Sequence, residues 1–189
     1  DDGTDGSFCS PSTFNTNATR GVTWPEDNGE YSVWAVGTQF DVDKGLPRKD
    51  GGREDWFTFP RGGTAQSDLC TLNIPATDTH GWFTCCHGDG DHVLAYVWER
   101  ASFPWLMTWE EHRARQQAPW SGRTSVRGLE FGSYALATGR KANVQMGTLF
   151  DTPTFEWLDA YESKKTQFYV SLQKVTKGAN RDGEAKGGG

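Results

Sequence analysis

The sequence has no apolar run approaching the roughly 18 residues that a membrane-crossing helix requires, and no charged-then-apolar leader opens it. Basic residues are in deficit: 19 Lys and Arg stand against 25 Asp and Glu, a formal net charge of −6. This acidic balance argues against a surface built to neutralise phosphates, so neither nucleic acid nor a membrane is an expected partner. Cysteine is scarce, with four thiols (Cys9, Cys70, Cys85 and Cys86) and no C-x-x-C spacing, and its usage points to no particular compartment. His80, His87 and His92 stand near the last two, with Asp89 and Asp91 between them, but the spacing fits no established zinc pattern. The reading taken is a strand that ends in small, half-buried thiols and a Gly-Asp turn, with no metal and no cofactor. Nucleophile elbows, phosphate loops and dinucleotide fingerprints are missing too. Gly88-Asp89-Gly90 lacks the strand-to-helix setting that a phosphate cradle needs. Asn17-Ala18-Thr19 is a glycosylation sequon that matters only in a secreted chain.

What the chain does have is turn formers and aromatics. Its 189 residues suit one domain, and 23 glycines with 8 prolines leave little room for long helices. Aromatic residues at 13% still supply a core. Residues 1–30 are polar and read as an extended arm or loop, 31–176 as the domain, and 177–189 as a disordered, glycine-ended tail. Short strands are expected at Tyr31–Val36, Asp55–Phe59, Leu69–Ile74, Trp82–Cys86, Phe103–Trp109 and Val126–Phe131. His92–Glu99 carries two interleaved apolar sets, the pattern of a strand buried on both faces. Lys164–Val175 alternates cleanly, which predicts Phe168, Val170 and Leu172 on a buried face, together with Val93 and Val97 of the neighbouring run. Only Glu110–Gln117 and Phe155–Tyr161 are expected to form a helical turn or two. The fold class predicted is all-β, an antiparallel β-sandwich.

Three places could carry chemistry. In Phe103–Arg113 an aromatic strand runs into Glu110, Glu111, His112 and Arg113, followed by Trp120 and Arg123. Sugars present apolar C–H faces rimmed by hydroxyls, so flat aromatics such as Trp109 beside carboxylates and guanidinium suit them. The competing reading places the tryptophans in the core and the charges in a salt-bridged turn. In Arg127–Gly132, Glu130 sits within an apolar strand between glycines. It is either a carboxylate raised by burial toward general-base use, or an ion-pair partner of Arg127 or Arg123. Asp68 enters a strand behind Ser67, which by itself is ordinary turn chemistry.

In their order, Phe103-Pro104-Trp105-Leu106, Trp109-Glu110-Glu111 with Arg113, Ala118–Arg123 and Arg127-Gly128-Leu129-Glu130-Phe131-Gly132 resemble the C-terminal half of bacterial aldose 1-epimerase-like proteins, of the galactose mutarotase-like superfamily. The likeness extends from Ala18-Thr19-Arg20-Gly21 to Gly147–Pro153. It implies a large antiparallel β-sandwich, lacking here its N-terminal part, and interconversion of sugar anomers without metal or cofactor by a glutamate base and a histidine acid. By position it implies Glu130 as the base and Asp68, Trp109, Glu110 and Arg113 as binders of the sugar. The family's acid histidine belongs to an upstream half, and His80, His87, His92 and His112 do not match it. The expectation is therefore an epimerase in a full-length parent. The alternative is a non-catalytic carbohydrate-binding module or structural subunit. The partners expected are a mono- or oligosaccharide and a second chain, or the missing half, covering an exposed sheet.

Overall fold

The computed structural model describes residues 12–61, 65–86, 88 and 91–174. Within them the chain is an all-β sandwich of antiparallel sheets. The strands are β1 (Ser12–Thr16), β2 (Arg20–Thr23), β3 (Gln39–Asp41), β4 (Leu46–Pro47), β5 (Arg53–Glu54), β6 (Thr58–Phe59) and β7 (Gln66–Asn73). They continue with β8 (His80–Cys86), β9 (His92–Glu99), β10 (Trp105–His112), β11 (Ser125–Gly132), β12 (Thr148–Leu149), β13 (Thr152–Pro153) and β14 (Phe168–Lys174). One sheet has the order β14-β9-β8-β1-β6 and the other β11-β10-β7-β2-β3. The α-helix among the described residues, α1 (Arg140–Met146), lies between β11 and β12, and a 3-10 turn at Val42–Lys44 follows β3.

Residue alternation decides what each strand contributes. Along β10, Leu106, Thr108 and Glu110 point into the sandwich, while Trp105, Met107, Trp109 and Glu111 take the opposite face. β10 is in register with β7 on one side (Glu110 opposite Asp68, Thr108 opposite Cys70) and with β11 on the other (Glu110 opposite Arg127). The core between the sheets gathers Phe14, Phe40, Cys70, Leu72, Phe83, Trp98 and Leu106. Phe131 stacks on Trp98 with centroids 4.5 Å apart and reaches Phe168 at 5.5 Å. Arg127, on the same strand, lies instead over Phe14 and Phe59. Strand β11 therefore crosses the facing sheet obliquely, from its β14 edge toward its β6 edge.

Two glycines allow this packing. A Cβ on Gly81 would stand 2.4 Å from the Trp98 ring, and one on Gly21 would stand 2.5 Å from Phe40. The outward face of β10 is covered by the segment after β11: Ala135, Leu136, Leu149 and Phe150 pack with Val22 and Trp105. Buried Asn143 of α1 holds that cover, accepting from Leu136 N at 3.0 Å and donating to Leu136 O at 2.6 Å.

Several sequence expectations are corrected. Residues 12–23, read as part of an arm, form β1 and β2, which pair inside both sheets. Tyr31–Val36 is a loop with one bridge, Trp34 to Arg48, because its polar groups are claimed by Asp68 rather than by a strand. Glu110–His112 ends β10 instead of starting a helix, since β7 and β11 supply ladder partners on both sides. Phe155–Tyr161 is not helical. Phe168, Val170 and Leu172 are exposed because β14 is the edge strand and the oblique β11 covers only its Phe168 end. Val93 and Val97 are half-buried, and His92–Glu99 is a half-buried strand rather than one enclosed on both faces. Cys9, His87, Asp89 and the tail 177–189 lie outside the described residues.

Candidate functional site

Strand alternation splits four of the five residues singled out in the sequence between opposite faces of one sheet. Glu110 (0% exposed) and Asp68 (2% exposed) face the interior, whereas Trp109 and Glu130 face outward. Arg113, with a φ of 56°, turns the chain out of β10 and is exposed. The structure thus joins Asp68 with Glu110, and Trp109 with Glu130, but does not assemble all five.

The inward group is a buried ionic network. Glu110 Oε1 accepts from Arg127 Nε at 2.8 Å and from Arg61 Nη1 at 3.2 Å, and further contacts from both guanidinium groups close the pair on each side. Glu54 accepts from Trp34 Nε1 at 2.6 Å and lies 3.2 Å from Arg61 Nε. Arg127 also lies over the rings of Phe14 and Trp56, at 4.3 and 4.8 Å, so aromatic faces surround the side of its guanidinium not engaged by Glu110. Asp68 accepts from Ser32 Oγ at 2.8 Å, Val33 N and Gln66 Nε2 at 3.0 Å, and Trp34 N at 3.4 Å. Burial raises the Asp68 carboxyl above its ordinary range, and these hydrogen bonds oppose the rise. Every acceptor direction of Asp68 is occupied by its own chain, so it pins the loop at residues 32–34 and has nothing left for a sugar hydroxyl. Burial pushes the neighbouring Cys70 thiol well above its usual range. The whole group acts as a structural bolt at one end of the core.

Glu130 is neither buried nor paired with Arg127, which is committed to Glu110. Its carboxylate lies beside Gly128, where an added Cβ would stand 3.4 Å from Oε1 and 3.8 Å from the Trp109 ring. The missing side chain at Gly128 brings Trp109 and Glu130 together at the surface. Trp109 meets Trp120 edge-on with centroids 5.6 Å apart, and Arg115 lies over both rings at 5.2 and 5.5 Å. Glu111, fully buried, fixes this turn by accepting from Ala114 N at 2.8 Å and Arg115 N at 2.9 Å.

Arg115 also borders a polar hollow of about 330 Å³. Asn28, Glu30 and Tyr31 form one wall, Gln116 and Gln117 the other, and Ser67 lies between them. Ser67 is 6% exposed, and its hydroxyl has no hydrogen-bond partner among the described residues. Asn28 donates to Ser67 O at 3.2 Å and Ser67 N donates to Tyr31 O at 3.0 Å, so strand β7 holds the wall in place. The Glu30 carboxylate raises the Tyr31 phenol above its ordinary range. Sequence reasoning missed this hollow because Asn28–Tyr31, Ser67 and Gln116 meet only through the sheet, and Ser67 was read as turn chemistry rather than as an outward residue of β7. Other hollows offer less. The 500 Å³ hollow beside β2 and β3 has its Lys44 and Asp41 committed to each other at 2.6 Å, and the 390 Å³ hollow beside α1 has Asn143 committed to Leu136.

Asn17 of the sequon is similarly engaged, donating to Asp78 Oδ2 and His80 O and accepting from Trp82 N. His112 packs edge-on to Phe59 and contacts Ser125 Oγ at 3.0 Å, facing away from Glu130. Among the described residues no group of three or more His, Cys, Asp or Glu is placed to hold a metal ion. Compared with protein-family models, curated proteins and solved structures, the chain matches none.

Proposed function

We propose that the chain is a saccharide-binding module, with its ligand lying across Trp109 and Trp120 and reaching polar groups into the hollow floored by Ser67. The observation that carries this reading is the joint between tryptophan pair and polar recess made by Arg115, which lies over both rings and lines the hollow. A pyranose ring needs both kinds of surface: an aromatic face for its C–H groups, and amide, hydroxyl and carboxylate partners for its rim. The unpartnered Ser67 hydroxyl, the two glutamines, Asn28 and Glu30 supply the second kind. In this reading Asp68, Glu110 and Arg127 hold the strands and do not touch the sugar.

The experiment is calorimetric titration with mono- and oligosaccharides. Trp109→Ala removes a stacking face worth about 1 kcal/mol, roughly a fivefold loss of affinity. Ser67→Val should weaken the same ligand, while Asp41→Asn beside the distant larger hollow should leave it unchanged. Equal binding by all three variants refutes the site.

A second reading, an aldose 1-epimerase-like activity of a longer parent, is favoured by one feature: Glu130 is exposed beside Trp109 on the face a sugar would approach. Anomer interconversion also needs a proton donor across the ring, and His112 is turned away. This chain alone is thus expected not to accelerate mutarotation of freshly dissolved glucose or galactose. A rate gain in polarimetry that Glu130→Gln abolishes would establish the epimerase reading instead.

A further inference from the structure

Strand β14 carries four large apolar side chains in a row of five residues, and all are exposed: Phe168 52%, Tyr169 66%, Val170 51% and Leu172 69%. Among the described residues it is hydrogen-bonded on one side only, to β9, through seven register pairs from Phe168–Trp98 to Lys174–His92. Its other side presents an open ladder. Natural edge strands are usually blunted by proline, a bulge or a central charge. Here Phe168–Gln173 contains none of these, and the one charge, Lys174, sits at the end. Because β11 passes obliquely over the Phe168 end, Val170 and Leu172 also lack a facing strand from the other sheet.

We propose that β14 is a self-association edge, pairing antiparallel with β14 of a second copy of this chain about a two-fold axis through Val170. The sequence of the strand is self-complementary in that register. Val170 meets its own counterpart, Phe168 meets Leu172, and Tyr169 meets Ser171. Lys174 falls opposite Thr166 rather than another lysine. Aromatic-aliphatic pairs directly opposite each other are the favourable kind, and no like charges face. The two five-stranded sheets then become one continuous ten-stranded sheet, and the uncovered Val170 and Leu172 of both copies merge into one apolar strip. In sequence, residues 1–11 and 175–189 contain no alternating apolar run.

The four side chains offer about 400 Å² of apolar surface per copy, about 800 Å² in all, which is below the standard specific interface and in the range of weak, transient contacts. The dimer is therefore weak, with a dissociation constant on the order of 10 μM. Sedimentation velocity of the purified chain over about 1–200 μM tests this. The wild type should move from monomer to dimer across that range. Val170→Lys puts two ammonium groups on the axis, and Leu172→Lys puts one opposite each Phe168. Both positions are solvent-exposed in the single chain, so the fold should survive, as circular dichroism would verify. Each variant should stay monomeric throughout, a shift in dissociation constant of at least tenfold. Tyr134→Lys, at another exposed aromatic (43%) near α1, should dimerise like the wild type. A wild type that is monomeric at every concentration overturns the proposal. So does dimerisation that survives both β14 lysines or is lost equally in the Tyr134 variant.

Discussion

Replacing Glu110 by Gln tests whether the buried charges hold the sandwich together. The substitution preserves shape but removes the charge that Arg61 and Arg127 share. Glu110 has no solvent exposure, the Arg127 side chain is 1% exposed and that of Arg61 is 11% exposed, so water cannot replace the lost partner. An amide presents one acceptor and one NH₂. Whichever way it turns, its NH₂ points at one guanidinium, since Oε1 serves Arg127 and Oε2 serves Arg61. Breaking a buried pair by removing one partner costs about 3–5 kcal/mol, against a total stability of about 5–15 kcal/mol for an ordinary domain. For a chain of this length the loss corresponds to a fall in Tm of about 6–20 °C. Tryptophan fluorescence during thermal and urea unfolding reads it directly. Glu130→Gln, at an exposed position, should change stability by no more than about 0.5 kcal/mol. The joint replacement Glu110→Leu with Arg127→Met should recover much of the loss, because a well-packed apolar pair can substitute for a buried ion pair while Arg61 keeps Glu54. An E110Q protein that melts within about 2 °C of wild type, or a larger effect at Glu130, would refute the assignment of the structural charge to Glu110.

Asp68→Asn leaves at least one of its donors (Ser32 Oγ, Val33 N, Trp34 N or Gln66 Nε2) without an acceptor, and should cost about 1–3 kcal/mol with increased proteolysis in the loop around residue 33. Gly81→Ala drives a methyl group into the Trp98 ring and should destabilise by about 1–3 kcal/mol, visible as a lower urea midpoint with unchanged slope. Burial, with Arg113 and Arg61 nearby, holds His112 below its ordinary 6.5. The unfolded chain thus binds a proton that the folded chain resists, so stability falls as pH drops from 6.5 toward the folded value. The loss of Tm between about pH 7.5 and about pH 5.5 should be smaller in His112→Gln, and an unchanged loss would place the titration elsewhere.

The sandwich and the strand at His92–Glu99 were legible because alternation survives in the sequence whatever the neighbours do. The strand at Leu69–Ile74 was legible for its apolar run, though the ladder begins earlier, at Gln66, where polar residues hide it. Parity within a strand was also available and would have placed the site residues better. Arg127, Leu129 and Phe131 share one face, which puts Glu130 on the other, and the same count separates Trp109 from Glu110. The partner of Arg127 was not legible: the sequence set it against Glu130 of its own strand, and Glu110 emerges only from the register of β10 with β11. Nor was the end of β10: Glu110-Glu111-His112 carries no apolar signal, and its extended form comes from ladders with β7 and β11. The exposed state of β14 depends on the angle at which β11 crosses the other sheet, a property of two twisted sheets that no local pattern encodes.

Cys70 lies between Asp68 and Leu72 on the inner face of β7, with no exposure and a thiol held in its unreactive form. Cys85 and Cys86, on the opposite sheet, are half-buried. The chain therefore contains its own clock for the parting of its two layers. An alkylating reagent can meet the partly open thiols of β8 in the folded molecule, but it reaches Cys70 only when the sheets separate. The rate of that one modification, followed residue by residue, reports how often the interior is opened to solvent.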